Sequence, residues 1–322
     1  MPRWLRIGIQ VLVSGAVIAY LVWRIDLRQT AELIGDSHPG YVLAAFGIFL
    51  LTTWVMAWRW QLLLAAKGIQ EPIGWLTQLY FVGYAAGQIL PTAIGGDAVR
   101  IIEHARRRPD AKADAAAAVL MERVVGAAGV LLVVAVGIAI AAGRYDDVRA
   151  LIWLEIVFVA VTALVVAAIF SRGLRRHLEE RIFPLGRRLR LEGPVGSLYR
   201  AMHEYRAAPR ALLVVLGVTM AVQFVRIVAI WLCGEAVGVD VSPLVYFILG
   251  PLLFLVQMVP ITLNGLGVRE VFFVEFLSRF DVGEEAALAT GVLFYAVTIA
   301  VALPGAFILL WRSFRPAAPR PT

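Results

Sequence analysis

The chain has 322 residues, of which 61% are hydrophobic and only 16% charged, with a mean hydropathy of +0.80. A soluble domain carries roughly 25% charged residues and could not hide this much apolar surface, so a water-soluble globular protein is excluded and the solvent is lipid. The formal net charge is +7, with 28 arginines and two lysines against 23 acids, which brings in an anionic partner. No basic stripe interleaved with aromatics lies on a foldable soluble module, so that partner is lipid headgroup rather than nucleic acid. Genomic base composition is the alternative source of the arginine excess.

Eight hydrophobic segments follow in chain order, at about 5–23, 41–63, 74–93, 115–142, 150–170, 211–237, 243–262 and 285–311, with a ninth short stretch at 266–277. Runs of about 20 apolar residues are long enough, as helices, to cross a hydrocarbon core of roughly 30 Å. The first follows Arg3 and Arg6 as a signal-peptide core would, but no A-x-A site closes it, and it reads as a retained helix. A single cysteine, Cys233, lies inside an apolar segment, which gives neither a disulfide framework nor a metal cluster.

Loop charge orients these segments. The stretch 171–210 carries ten arginines against four acids, so the positive-inside rule places it in the cytoplasm, and Arg3, Arg6, Arg312, Arg315 and Arg320 place both termini there. The run from Arg100 to Lys112 also belongs inside. It gets there only if 74–93 enters from the cytoplasm, breaks at Pro91 and returns. Asp240 and the pair Glu284 and Glu285 both belong outside, so 243–277 enters from the other face and breaks at Pro260. Irregular backbone at membrane depth is tolerated only where protein or a wet cavity covers it, so both hairpins are expected to line an internal site.

The two breaks share a pattern. Arg100 follows Pro91 by nine residues as Arg269 follows Pro260, and both stretches read P-x3-[GN]-G-x-[AG]-V-R. Upstream, Arg59 precedes Pro91 by 32 residues and Arg226 precedes Pro260 by 34. The expected fold is therefore an all-α polytopic integral membrane protein, a single domain over 1–322. It has about six full spans plus two re-entrant hairpins in an inverted repeat, with halves at about 41–142 and 211–311.

Residue type gives the motif its chemistry. Gly95, Gly96, Asn264 and Gly265 let backbone amides approach a ligand, and a helix starting after Gly96 or Gly265 turns its free N–H groups toward an anion. Arg100 and Arg269 add guanidinium forks suited to phosphate oxygens, with Asp97 and Glu270 beside them. The plainer alternative is that proline and glycine merely break helices while each arginine snorkels to its interface. Glu122 and Arg123 lie about 11 Å into the fourth segment and Arg226 about 22 Å into the sixth, depths at which an ionisable residue is a functional candidate. Sequence neighbours on a helix diverge, so Glu122 is expected to pair with Arg100 or Arg59 and Glu270 with Arg226 or Arg269. Arg59 either turns inward or snorkels in an aromatic belt with Trp58 and Trp60. Gly83-x3-Gly87 reads as a close-packing face.

The chain resembles the lysylphosphatidylglycerol synthase transmembrane-region family, also called flippase-like domain proteins, over roughly 5–312. The resemblance rests on Arg59-Trp60-x-Leu62-Leu63, on Gly95-Gly96-Asp97-x-x-Arg100, on Glu122-Arg123, where the family is expected to have Asp first, and on Asn264-Gly265-x-Gly267-x-Arg269-Glu270. It implies a lipid-handling membrane domain, in some members a flippase for aminoacylated phosphatidylglycerol. The synthase members carry a soluble aminoacyl-transferase domain after the membrane region, whereas this sequence ends eleven residues after Trp311. The expectation is a protein that is not an enzyme, with no cofactor and no metal, in the plasma (inner) membrane.

Three functions compete. The first is a flippase moving an anionic or zwitterionic phosphate-containing headgroup between the hairpins while the repeats rock. The second is a membrane-embedded lipid-modifying transferase with Asp97 or Glu270 as general base, although His38, His104, His177 and His203 are scattered and no nucleotide fingerprint exists. The third is a non-catalytic assembly partner that uses 171–210 to hold envelope biosynthesis enzymes at anionic lipid.

Overall fold

The computed structural model describes residues 3–90, 95–141, 157, 160, 164, 192–258, 265 and 267–314. Among these residues there are eleven α-helices and no strand. They are α1 (Arg3–Arg24), α2 (Leu27–Gly35), α3 (Pro39–Ala65), α4 (Ile73–Ile89), α5 (Gly95–Arg107) and α6 (Lys112–Ala141). After the gap come α7 (Glu192–His203), α8 (Pro209–Ala236), α9 (Pro243–Met258), α10 (Val268–Leu277) and α11 (Glu284–Phe314). Four stretches, Pro39–Ala65, Pro109–Gly137, Pro209–Ala236 and Glu284–Arg312, are long and apolar enough to cross a membrane. Of the six spans expected, α3, α6, α8 and α11 are these four. The first is α1, with a shorter apolar part at Leu12–Arg24, and 150–170 lies outside the described residues except for three positions.

Local signals set the helix ends. Asp26 caps α2 by accepting from the Arg28 and Gln29 amides at 2.8 and 3.2 Å, and Pro39 and Pro209 open α3 and α8, where a missing N–H costs nothing. Both α3 and α8 close on the same device. Gly68 and Gly238 adopt φ of 73° and 79°, and the next amides, Ile69 and Val239, reach back to Leu64 and Gly234 at 3.0 Å. This left-handed glycine turn stops the two helices in the same way, 170 residues apart.

The helix pairings come in matched sets. α3 packs along α8. α4 lies on α11 as α9 lies on α6, α5 packs on α6 as α10 packs on α11, and α4 packs with α5 as α9 packs with α10. Exchanging α3–α6 for α8–α11 leaves this pattern of neighbours unchanged. The outward faces are apolar: Leu43, Leu51 and Trp54 on α3, Leu213 and Val214 on α8, and Leu303, Phe307 and Leu310 on α11 are all exposed. An apolar outside around buried charge is what a lipid solvent selects.

Two expectations about loops are corrected. The arginine-rich run from 100 is not a loop: α5 continues through it to Arg107, and a 3-10 turn at Pro109–Ala111 leads straight into α6. The basic stretch 171–210 lies outside the described residues as far as 191, but from Glu192 it is helical and docked rather than free. Ala201, Met202 and Tyr205 are buried there, and the Tyr205 hydroxyl donates to the Leu63 carbonyl at 3.0 Å. At the opposite ends of the molecule, partly exposed ion pairs tie helices together. Arg24 joins Glu275 and Glu284, linking α1 to α10 and α11, while Arg312 joins Glu103 at 3.0 Å, linking α11 to α5.

One close backbone approach that positions the site is between α4 and α5. A Cβ on Gly96 would stand 2.3 Å from the Gly83 carbonyl oxygen, so Gly83 does pack closely, while Gly87 has open space beside it. Overpacking of this kind costs about 1–3 kcal/mol. Gly96→Ala is expected to lower the thermal unfolding midpoint in detergent by several degrees, and Gly87→Ala to leave it unchanged.

Candidate functional site

The sequence expectation places charge inside the bundle, and the structure gathers it around one cavity of about 440 Å³ between α3, α4, α5, α6, α8, α9, α10 and α11. Arg59, Arg100, Arg226 and Arg269, the four arginines of the two matched motifs, all line it, with Gly96, Asp97, Glu122 and Arg123. Arg59, Arg100 and Arg269 are 3–5% exposed and Glu122 is 3% exposed, values that decide against snorkelling.

Glu122 on α6 is the junction. Its Oε1 accepts from Arg59 Nε and Nη2 at 3.3 and 3.2 Å and from the Tyr80 hydroxyl at 2.5 Å, and its Oε2 lies 3.1 Å from Arg100 Nη2. Glu122 therefore pairs with both of its expected partners at once. Arg59 also donates to Thr219 on α8 at 2.8 Å. Arg123, one residue on, turns the other way and meets Asp97 at 2.5 Å, while Asp97 also accepts from Arg100 at 2.7 Å. Arg100 lies under two aromatic faces, 4.1 Å from the Tyr80 ring centre and 5.0 Å from that of Trp60, contacts that stabilise a guanidinium where water is scarce.

The second motif is arranged differently. Glu270 pairs with Arg269, and its other oxygen accepts from the Gly267 amide at 2.8 Å. The expectation of amides free for an anion at this helix start is corrected at Gly267, since α10 begins at Val268 and its own third residue occupies that donor. Gly265 is half-buried with φ 78°, and Asn264, like Pro91 and Pro260, lies outside the described residues. At the other helix start Gly95 is buried within α5, and Gly96 serves the approach to Gly83. Arg226 is held by hydroxyls, Tyr84 at 2.7 Å and Thr52 at 3.2 Å, with Phe49 at 5.3 Å. Glu270 thus belongs to Arg269 and not to Arg226.

Several residues of the site were not singled out from the sequence. Tyr80, Tyr84, Thr219 and Tyr295 all line the cavity, Tyr295 with its ring 4.0 Å from Arg269. Their signal was available: Tyr80, Gly83, Tyr84, Gly87 and Gln88 recur at helical spacing along one face of α4. His104 is not in a loop. It is fully buried on α5 against Trp60 and Trp75, 3.7 Å from Glu71.

A family model described as "Lysylphosphatidylglycerol synthase TM region" matches residues 7–305. Among similar proteins, Glycosyltransferase AglD of Haloferax volcanii is 26% identical over 91% of this chain and 52% of its own length. The chain thus spans about half the length of that relative. A UPF0104 membrane protein of Methanothermobacter thermautotrophicus is 24% identical over 89% of each. The first name overturns the expectation that the chain is not an enzyme, because a protein similar to 91% of this chain is named a glycosyltransferase.

Removing one partner of a buried ion pair strands the other charge, at a cost of about 3–5 kcal/mol. Glu122→Gln is expected to lower the unfolding midpoint strongly, since it strands Arg59 and leaves Arg100 with Asp97 alone. Arg123→Ala, at a half-exposed position, is expected to shift it far less in the same detergent melt.

Proposed function

The chain belongs to the lysylphosphatidylglycerol synthase transmembrane-region family, and on that premise we propose that it is a flippase, carrying the phosphate-containing headgroup of a membrane lipid across the bilayer. The observation that carries this reading is the convergence of Arg59, Arg100, Arg226 and Arg269 on one cavity inside an apolar shell. Arginine forks suit phosphate oxygens, and cations at this depth are retained where an anion passes or binds. The matched helix pairings support an inverted repeat with halves at about 41–142 and 211–311. In this reading α4–α5 and α9–α10 are re-entrant hairpins entering from opposite faces, and α3–α8 is the seam about which the halves rock. Both termini and the basic stretch 171–210 face the cytoplasm, and the membrane is the plasma (inner) membrane.

A second reading, a membrane-embedded transferase, is favoured by the name of the Haloferax volcanii relative. Asp97 or Glu270 would act as base after substrate oxygens displace the arginine that holds it. New lipid product formed by purified protein and a lipid donor would establish it.

The transport reading is tested with phosphatidylglycerol, phosphatidylethanolamine and polyprenyl-phosphate probes in proteoliposomes. Arg100→Ala and Arg269→Ala are each expected to slow translocation about tenfold or more, the loss of one charge-assisted contact. Translocation unchanged in both variants would remove the cavity from the pathway.

A further inference from the structure

We infer that the cavity selects a headgroup carrying two negative charges, a terminal phosphomonoester or a diphosphate, over a zwitterionic headgroup or a singly charged phosphodiester. This deepens the transport reading and rests on it. The argument is the charge inventory of the wall. Three buried arginines, Arg59, Arg100 and Arg269, and the half-buried Arg226 face two buried carboxylates, Glu122 and Glu270. Asp97 and the half-exposed Arg123 form a neutral pair at the rim. Glu122 serves Arg59 and Arg100 together, Glu270 serves Arg269, and Arg226 meets hydroxyls and a ring but no carboxylate among the described residues. The short stretches of sequence joining α4 to α5 and α9 to α10, 90–94 and 259–267, contain no ionisable residue. Two positive charges are left over.

The hydrogen-bond inventory agrees. Arg100 Nη1 is fully buried and donates to nothing. Arg226 and Arg269 each use Nε and Nη2, which leaves their Nη1 groups without an acceptor among the described residues. A buried guanidinium donor without an acceptor is costly, and a phosphate oxygen is the acceptor that matches its geometry and charge. That buried donor and the Nη1 groups of Arg226 and Arg269, around a cavity of about 440 Å³, fit a group with several terminal oxygens. A phosphodiester offers two unbridged oxygens and one charge, and an attached ammonium would be repelled by the surplus.

The test uses the full chain in proteoliposomes at pH 8, where a phosphomonoester is dianionic because its second pKa is about 6. Phosphatidic acid, phosphatidylglycerol and phosphatidylcholine are compared with the same fluorescent acyl chain, so only the headgroup differs. Phosphatidic acid is expected to cross about tenfold faster than either, as one extra matched charge at low dielectric requires. Arg226→Gln, which removes one surplus charge, is expected to bring phosphatidylglycerol level with phosphatidic acid, while Arg226→Lys keeps the wild-type order. Phosphatidylglycerol or phosphatidylcholine crossing as fast as phosphatidic acid in the wild type would overturn the charge selection and leave transport standing. Movement of no probe would overturn both. Uptake of labelled inorganic phosphate without lipid movement would keep the dianion selection and overturn the lipid reading.

Discussion

Glu122 carries a constraint that the surrounding helices obey. Inside an apolar bundle a charge has no water to fall back on, so its partners must come from the protein, and each comes from a different helix: the Arg59 charge from α3, the Tyr80 hydroxyl from α4 and the Arg100 charge from α5. Lipid tails are as apolar as leucine, and hydrophobic burial alone cannot tell one helix register from another in that solvent. The carboxylate on α6 can. Moving any of the four helices by a turn, about 5.4 Å, would break a pair. Aromatic rings complete the arrangement, since Arg100 lies between Trp60 and Tyr80 and needs little water there.

The second half of the molecule repeats the neighbours without repeating the chemistry. Arg269 and Glu270 are adjacent in sequence and form an ion pair within one helix, with only the Tyr295 ring of α11 brought against Arg269, and Arg226 reaches α3 and α4 through hydroxyls. Charge thus cross-links α3 to α6 tightly, while α8 to α11 rest against one another mainly through apolar side chains such as Phe273, Phe294 and Tyr246. A pairing pattern common to both halves therefore coexists with an unequal distribution of polar contacts, heavy in the first half and light in the second.

Reading the sequence reached the membrane class, the family and the residues of the paired motifs, because prolines, glycines and isolated charges stand out in apolar sequence. The Glu122 partners followed from its depth and from helix geometry, which turns the neighbouring Arg123 away. Arg59 stayed ambiguous because Trp58 and Trp60 flank it, and a belt and a buried ring read alike in one dimension; Trp60 proved fully buried. Tyr80, Tyr84 and Tyr295 were passed over because a tyrosine in an apolar run is ordinary until a buried cation is known to lie beside it. The free amides expected at Gly267 were lost to a residue in plain view: Glu270 stands at the third position of α10, where a carboxylate bonds back to its own helix start. The helical dock of 192–207 was hidden by its arginines, which suggested a solvated loop, whereas Ala201, Met202 and Tyr205 form the buried face.

The exposed ties at the ends of the bundle differ in kind from the charges at its centre. Arg24 with Glu275 and Glu284, and Arg312 with Glu103, stand where mobile ions can reach them, and at physiological ionic strength the Debye length is about 8 Å. Buried pairs are screened much less, so the Glu122 pairs respond less to the same salt. Ionic strength therefore loosens the peripheral fastenings of α1, α5, α10 and α11 before it weakens the pairs that hold α3 to α6. The salinity of the surrounding water reaches this protein through its edges first.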